Sequence, residues 1–178
     1  ATLMSLRKRG FQAQAIKNFI YDLGLNKNDI NVSFDSLIAF NKEIIDKKSN
    51  RYFFIEHPAK VKINNAPKKT FYLELQPNIK RKGKRAFKTT DIFYLRKDIK
   101  KEDVYRLMGA FYIRNFKFIS SEHDPNLNAK VVEWLPEKGN IKAKIIMNDN
   151  NIKIGLAESN LSRLKIGDTL LFVRFGFC

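Results

Sequence analysis

Three short runs place an arginine beside aromatic rings: Arg51-Tyr52, Tyr105-Arg106, and Arg174 between Phe172 and Phe175. A guanidinium forks two hydrogen bonds to a base edge or a phosphate and stacks its plane on a ring. An aromatic side chain stacks a base for about 1–3 kcal/mol. Taken singly, each pair is also what a rim cation above a β core looks like. Together in one basic, strand-rich region they favour single-stranded nucleic acid as the ligand.

Other chemistries lack their residues. His57 and His123 are far apart, and neither has the His/Cys spacing that holds zinc. Asp98, Glu102 and Asp103 would be the only material for a metal-dependent nuclease, but they lie in a lysine-rich segment and read as solvated helix-end charges. Eight scattered glycines form neither a P-loop nor a dinucleotide fingerprint. No serine or cysteine sits at a strand-to-helix elbow. The polypeptide is not expected to catalyse a reaction by itself, and it needs no metal or cofactor of its own.

The charge balance agrees with a polyanionic partner. Lys and Arg number 34 against 18 Asp and Glu, a formal net charge of +16. Neutralising phosphates releases condensed counterions, which rewards such a surplus. At 44% hydrophobic residues, with 15 phenylalanines, the 178-residue chain can bury a core. A single cysteine, Cys178, excludes an internal disulfide framework and fits a reducing, cytoplasmic setting. No signal peptide or 20-residue apolar run is present, so no membrane association is expected. The closing run Leu170–Cys178 is an apolar strand with no polar tail, as expected of a piece of something longer.

The elements that must position the arginines divide into two kinds. Ser5 would cap a first helical turn that Gly10 ends. Ile16, Phe19, Ile20 and Leu23 recur at helical spacing, with Gly24 as the stop. Leu25–Asp29 reads as a polar loop. Ser33 caps a second helix, to about Asp46, with Phe34, Leu37, Ile38, Ile44 and Ile45 inward. Two such helices are too small for a deep core and call for a neighbour. The period changes at Ser49–Ile63, after which short strands follow: Val61–Ile63, Phe71–Leu75, Ile92–Leu95, Phe111–Ile119, Ala129–Leu135, Ile141–Met147 and Ile152–Ala157. Asp98–Leu107 is expected to be a short helix, Leu161–Leu164 a short turn or helix, and Asn148–Asn151 a hairpin turn. Lys80–Lys88, with six cations, reads as a mobile loop too repulsive to pack. Many short antiparallel strands point to one or more barrels.

The residues also carry a resemblance. Thr2-Leu3-Met4-Ser5-Leu6-Arg7-Lys8-Arg9-Gly10-Phe11 is similar to the Pro-Thr-Leu-x-x-Leu-Arg-Arg-Arg-Gly-Ile/Phe segment that leaves the catalytic core of glutamyl- and glutaminyl-tRNA synthetases. Ala15-Ile16, Asp22–Leu25, Ala39–Asn41, Ile45-Asp46, Asn50–Phe54, His57-Pro58, Leu164–Asp168 and Arg174–Phe177 resemble the archaeal-type glutamyl enzyme in order and spacing. The resemblance covers nearly the whole chain.

It implies an α+β fold: a helical segment, residues 1–50, linking to a catalytic core and lining the inside of the tRNA, then residues 51–178 as two interleaved antiparallel β-barrels of the anticodon-binding type. It implies a monomer whose partners are tRNA and the catalytic domain of the same class I enzyme. The HIGH-type and KMSKS-type motifs are absent here, so ATP, with magnesium, would serve that other domain. Arg51, Arg106 and Arg174, with Tyr52 and Phe175, would meet the anticodon, while Asn26, Lys27, Arg7, Lys8 and Arg9 would lie against the inner stem. Leu171 stands where the glutaminyl enzyme has a glutamine that helps read the middle base. The rival readings are a shape-only RNA or single-strand binder on barrels, the same region of a glutaminyl enzyme, and a stand-alone nuclease using the acidic cluster.

Overall fold

A computed structural model describes residues 2–24, 31–79, 83–147 and 149–178. The chain divides into two compact units, Ala1–Asn50 and Arg51–Cys178.

The first unit holds helices α1 (Leu3–Lys8), α2 (Ala13–Leu23) and α3 (Phe34–Lys48). Thr2, not Ser5, caps α1: its hydroxyl accepts from the Ser5 amide, so the helix starts earlier than the sequence suggests. Ser33 caps α3 as expected, accepting from the Asp35 amide, with Asp35 in the first turn and Lys47 and Lys48 in the last to suit the helix dipole. Helices α2 and α3 are joined by few rings: Phe11 meets Phe34 at 5.6 Å and Phe19 meets Phe40 at 6.2 Å. Asn41 accepts from the Gln12 amide at 2.8 Å and ties the entry of α2 to α3. The expected stripe of α2 is only partly covered. Ile16, Phe19 and Leu23 are half-buried and Ile20 is 58% exposed, while Phe34 of α3 is 45% exposed. The polar loop expected at Leu25–Asp29 lies outside the described residues.

The second unit is built from short strands: β1 (Asn50–Tyr52), β2 (Phe54–Glu56), β3 (Pro58–Lys62), β4 (Thr70–Glu74), β5 (Lys84–Lys88), β6 (Ile92–Arg96), β7 (Val104–Leu107) and β8 (Tyr112–Arg114). They continue as β9 (Lys117–Phe118), β10 (Lys130–Val132), β11 (Leu135–Pro136), β12 (Ile141–Ile146), β13 (Ile152–Ala157), β14 (Leu170–Phe172) and β15 (Gly176–Phe177). These pair in the orders β1-β14-β15, β10-β7-β8-β9, β11-β6-β3, β12-β13-β2 and β4-β5. The molecule is therefore α+β, with a short helical N-terminal part and many strands.

The stretch where the sequence changes period supplies a strand to three of these sheets, because it is interrupted at Phe53 and at His57, whose φ of 48° turns the chain. Gly155 permits β13 to lie close on β2, since a Cβ there would meet the Ile55 carbonyl oxygen at 2.2 Å.

Several expectations need correction. Val104–Leu107 is a strand rather than the end of a helix, alternating Tyr105 and Leu107 inward with Val104 and Arg106 half-buried. Phe111–Ile119 is not one strand. Asn115 and Phe116, with φ of 51° and 52°, make a two-residue turn that pairs Arg114 with Lys117. The cationic run does not stay loose throughout: Lys84–Lys88 is strand β5, and Arg85 and Phe87 alternate inward. Its first residues, Lys80–Lys82, lie outside the described residues. Strand β10 pairs with β7 in parallel, where antiparallel pairing was expected; the intervening hairpin and loop return the chain in the same direction. The hairpin of β12 and β13 pairs Ile146 with Ile152 as its alternation suggests, and Asn150 takes a left-handed φ of 62°. Asn148 is outside the described residues.

The larger core gathers Phe53, Phe71, Phe87, Phe93, Phe111 and Trp134, whose rings meet at centroid distances such as 5.2 Å for Phe87–Trp134 and 5.6 Å for Phe93–Trp134. Trp134 donates its indole N–H to the Met108 carbonyl at 3.0 Å. A smaller cluster packs Tyr52, Phe54, Ile145, Ala157, Leu170 and Phe172, with Phe175 against it.

Candidate nucleic-acid interface

Arg51 and Arg174 are brought to one sheet. The Val173 amide donates to the Tyr52 carbonyl at 3.0 Å, so the two arginines each neighbour a residue of the same ladder bond. Strand alternation sends Arg51 and Tyr52 to opposite faces. Tyr52 is 3% exposed and packs in the smaller cluster, while the Arg51 amide is fixed by the Leu75 carbonyl at 2.7 Å. Phe175 is half-buried, its ring edge-on to Phe54 at 5.1 Å.

Arg174 stands in the turn between β14 and β15, where the Phe175 amide donates to the Phe172 carbonyl at 2.9 Å. Its φ is 60°, a left-handed backbone that costs a non-glycine residue about 1–2 kcal/mol. Its side chain is 50% exposed, and Nε lies 3.3 Å from Oε1 of Glu133, a carboxylate 4% exposed at the end of β10. Burial pushes the Glu133 carboxyl above the usual range, and the backbone, Arg174 and Arg96 pull it back.

Arg174 lines a groove of about 380 Å³ with Arg96, Asp98, Ile99, Lys100, Asp103, Tyr105, Lys130, Val131 and Val132. The acids there are already paired. Asp103 accepts from Lys130 Nζ at 2.6 Å and from the Tyr105 hydroxyl at 3.1 Å, and the lysine in particular holds its carboxyl below the ordinary value. Asp98 lies 3.3 Å from Arg96. What remains for a ligand is the cationic side, with Lys100 and the half-exposed Arg174. Among the described residues no group of His, Cys, Asp and Glu has the arrangement to hold a metal, and Asp98, Glu102 and Asp103 are not gathered into one.

Arg106 sits apart on β7 and does not line that groove. Its guanidinium lies 4.5 Å above the ring of Tyr112, across the β7–β8 ladder, and its Nη1 is buried without a hydrogen-bond partner. The Tyr112 hydroxyl is 3.1 Å from His123 Nδ1 and from the Asp124 carbonyl, and accepts from the Asp124 amide at 3.2 Å, which fastens the loop after β9 beside it.

Of the other sequence candidates, Arg7 and Lys8 close α1 and Arg9 caps it, all three exposed. Asn26 and Lys27 lie outside the described residues.

Residue adjacency misses the partners that orient these arginines. Arg85, from the cationic run, pairs instead with Glu158; their side chains are 3% and 1% exposed. Glu158 also accepts from the Phe53 amide at 2.7 Å and from Asn160 at 3.1 Å. The Arg85 guanidinium stacks 4.6 Å from the Phe53 ring. Burial pushes Glu158 up and Arg85 down, each opposed by the other. This buried knot holds the chain just after Arg51, and nothing local in the sequence joins residues so far apart.

Comparison with known proteins adds to this geometry. Residues 49–133 match the family described as tRNA synthetases class I (E and Q), anti-codon binding domain; the match includes Arg51, Arg106 and Glu133. Among curated proteins, a glutamate–tRNA ligase of Archaeoglobus fulgidus is 38% identical over 188 residues, covering 99% of this chain and 33% of the relative. A glutamate–tRNA ligase of Methanocaldococcus jannaschii is 32% identical over 187 residues, covering 99% of this chain and 34% of the relative. One of Methanobrevibacter smithii is 30% identical over 184 residues. The chain spans about a third of the length of these relatives.

Proposed function

We propose, from the match of residues 49–133 to the anticodon-binding domain of class I glutamyl and glutaminyl tRNA synthetases, that this chain selects tRNA for a glutamate–tRNA ligase by reading the anticodon. The enzyme would attach glutamate to its tRNA with ATP, and the ATP and magnesium would act in its catalytic part; no residue of this chain is assigned to them. Arg51, Arg106 and Arg174 would meet the anticodon, with Tyr52 and Phe175 packing behind them. Arg7, Lys8, Arg9, Asn26 and Lys27 would lie along the inner stem. Residues 1–50 would form the helical link to the catalytic domain, and residues 51–178 two interleaved barrels. The protein would work in the cytoplasm as a monomer.

The single observation that carries the anticodon reading is Arg174. An arginine is kept in a strained left-handed turn, its Nε at a buried carboxylate and its half-exposed side chain lining a groove. A side chain needed only for charge would not require that backbone. The +16 charge explains affinity for any polyanion but no preference among tRNAs.

Filter binding of the chain to several tRNA transcripts at two salt concentrations tests the proposal. Anticodon reading predicts tighter binding to the glutamate transcript at both salts, with affinity for all transcripts falling as salt rises. Equal affinity for all transcripts at both salts would leave a shape-only RNA binder.

A further inference from the structure

Glu133 is a buried carboxylate just past β10. It is 3% exposed and lies in the chain between Val132 and Trp134, two residues of the larger core. Its Oε1 has no hydrogen bond of good geometry, only the 3.3 Å approach to Arg174 Nε. Burying a charge in such a place is costly, and a neutral residue would fit the core better. The approach engages Nε, and the Arg174 side chain, which lines the groove, stays 50% exposed; Nη1 and Nη2, the two nitrogens that fork to a base or phosphate, take no part in the contact with Glu133. Arg96 and Asp98 also act on the Glu133 carboxyl, but they pair with each other at 3.3 Å, and among the described residues Arg174 is the cation that forms an ion pair with it.

We infer that Glu133 is a positioning residue for tRNA selection: it pins Arg174 from behind so that the guanidinium fork points into the groove in a single orientation. The inference rests on the anticodon reading above. Its sign separates it from plain electrostatics. A negative charge near the groove repels RNA, so deleting it should strengthen binding to every tRNA if charge alone mattered. A positioning role demands the opposite for the cognate tRNA only, because a released arginine must be ordered again on binding.

The test is a double-mutant cycle on the 178-residue chain, with two transcripts as probes: one carrying the glutamate anticodon, one with its middle base replaced. Glu133→Ala is expected to weaken the first at least about fivefold, and to leave the second unchanged or tighter. Glu133→Gln, which keeps an oxygen for Nε, should recover most of the loss. In an Arg174→Gly background, where glycine suits the left-handed turn, Glu133→Ala should add nothing. Equal loss on both transcripts, tighter binding to both, or an undiminished effect without Arg174 would overturn the inference. If Arg174→Gly loses discrimination and Glu133→Ala does not, the anticodon reading survives and the positioning role falls. If Arg174→Gly discriminates like the parent chain, the positioning role falls with the role of Arg174; if the parent chain itself does not discriminate, the anticodon reading falls.

Discussion

Two arginine–glutamate pairs in the β unit look alike as charge pairs and differ in what water can reach. Arg85–Glu158 is closed: both side chains are buried, and the carboxylate also accepts from the Phe53 amide and Asn160. Arg174–Glu133 is open: the carboxylate is buried, but the arginine is half exposed at a groove. In a strongly basic chain, cationic character alone does not separate structure from recognition. The separation comes from whether the donors of the guanidinium are used up inside the protein or left facing solvent. The closed pair fixes the strand that carries Arg51; the open pair presents Arg174.

The comparison is broken most severely at the closed pair. Arg85→Met strands the Glu158 charge in the core and should cost about 3–5 kcal/mol in urea unfolding, whereas replacing both partners by apolar residues should recover much of that. A single substitution no worse than the double would show that the pair is not desolvated as described. Next in size, Gly155→Val drives a side chain onto the Ile55 carbonyl and should cost about 1–3 kcal/mol, loosening β2 and with it the anchor of Glu158 at Phe53. Unchanged urea stability would remove that close approach.

The open pair has a pH signature. Because burial raises the folded-state pKa of Glu133 above its unfolded value, its protonation favours the fold at low pH, and that contribution is lost as pH rises through the raised value. Glu133→Gln should therefore gain stability relative to the parent chain between acid and neutral pH, read as the difference in Tm across that range. A constant difference would contradict the burial. Smallest is Lys100→Ala, at the groove. It should weaken both cognate and altered transcripts alike and lower the salt slope by about one phosphate contact, marking a cation that attracts without reading.

Much of this difference was not legible in the sequence, for physical reasons. Arg51, Arg106 and Arg174 stand out because each has aromatic neighbours, yet in a strand neighbouring side chains point to opposite faces. Tyr52 therefore turns into the core away from Arg51, and the ring that Arg106 does meet is Tyr112, across the ladder. The cation density of Lys80–Lys88 hid an ordinary alternation, Arg85 and Phe87 in, Lys84, Ala86 and Lys88 out. The β8–β9 turn was missed because Asn115-Phe116 puts a phenylalanine where glycine usually signals a hairpin. Where local chemistry is sufficient, the reading was good: the cap at Ser33, the β12–β13 hairpin, and the change from helical to strand period near Ser49 all stand. Glu133 and Glu158 gave no local sign, since their partners lie far along the chain.

The helical unit shows the same lesson in apolar terms. Ile20 and Tyr21 stay exposed, and so does Phe34 although its ring meets Phe11. The β unit, with Trp134 at its centre, carries the deeper core.

The central claim is that Arg174 reads the anticodon while the closed pair holds the fold. The most direct measurement is the ratio of dissociation constants for transcripts differing only in the anticodon, taken for the parent chain and for Arg174→Gly. The account predicts that the ratio collapses toward one in the variant while binding to the altered transcript is nearly retained. A variant that loses affinity equally for both transcripts, keeping the ratio, would reduce Arg174 to a phosphate contact and contradict the account.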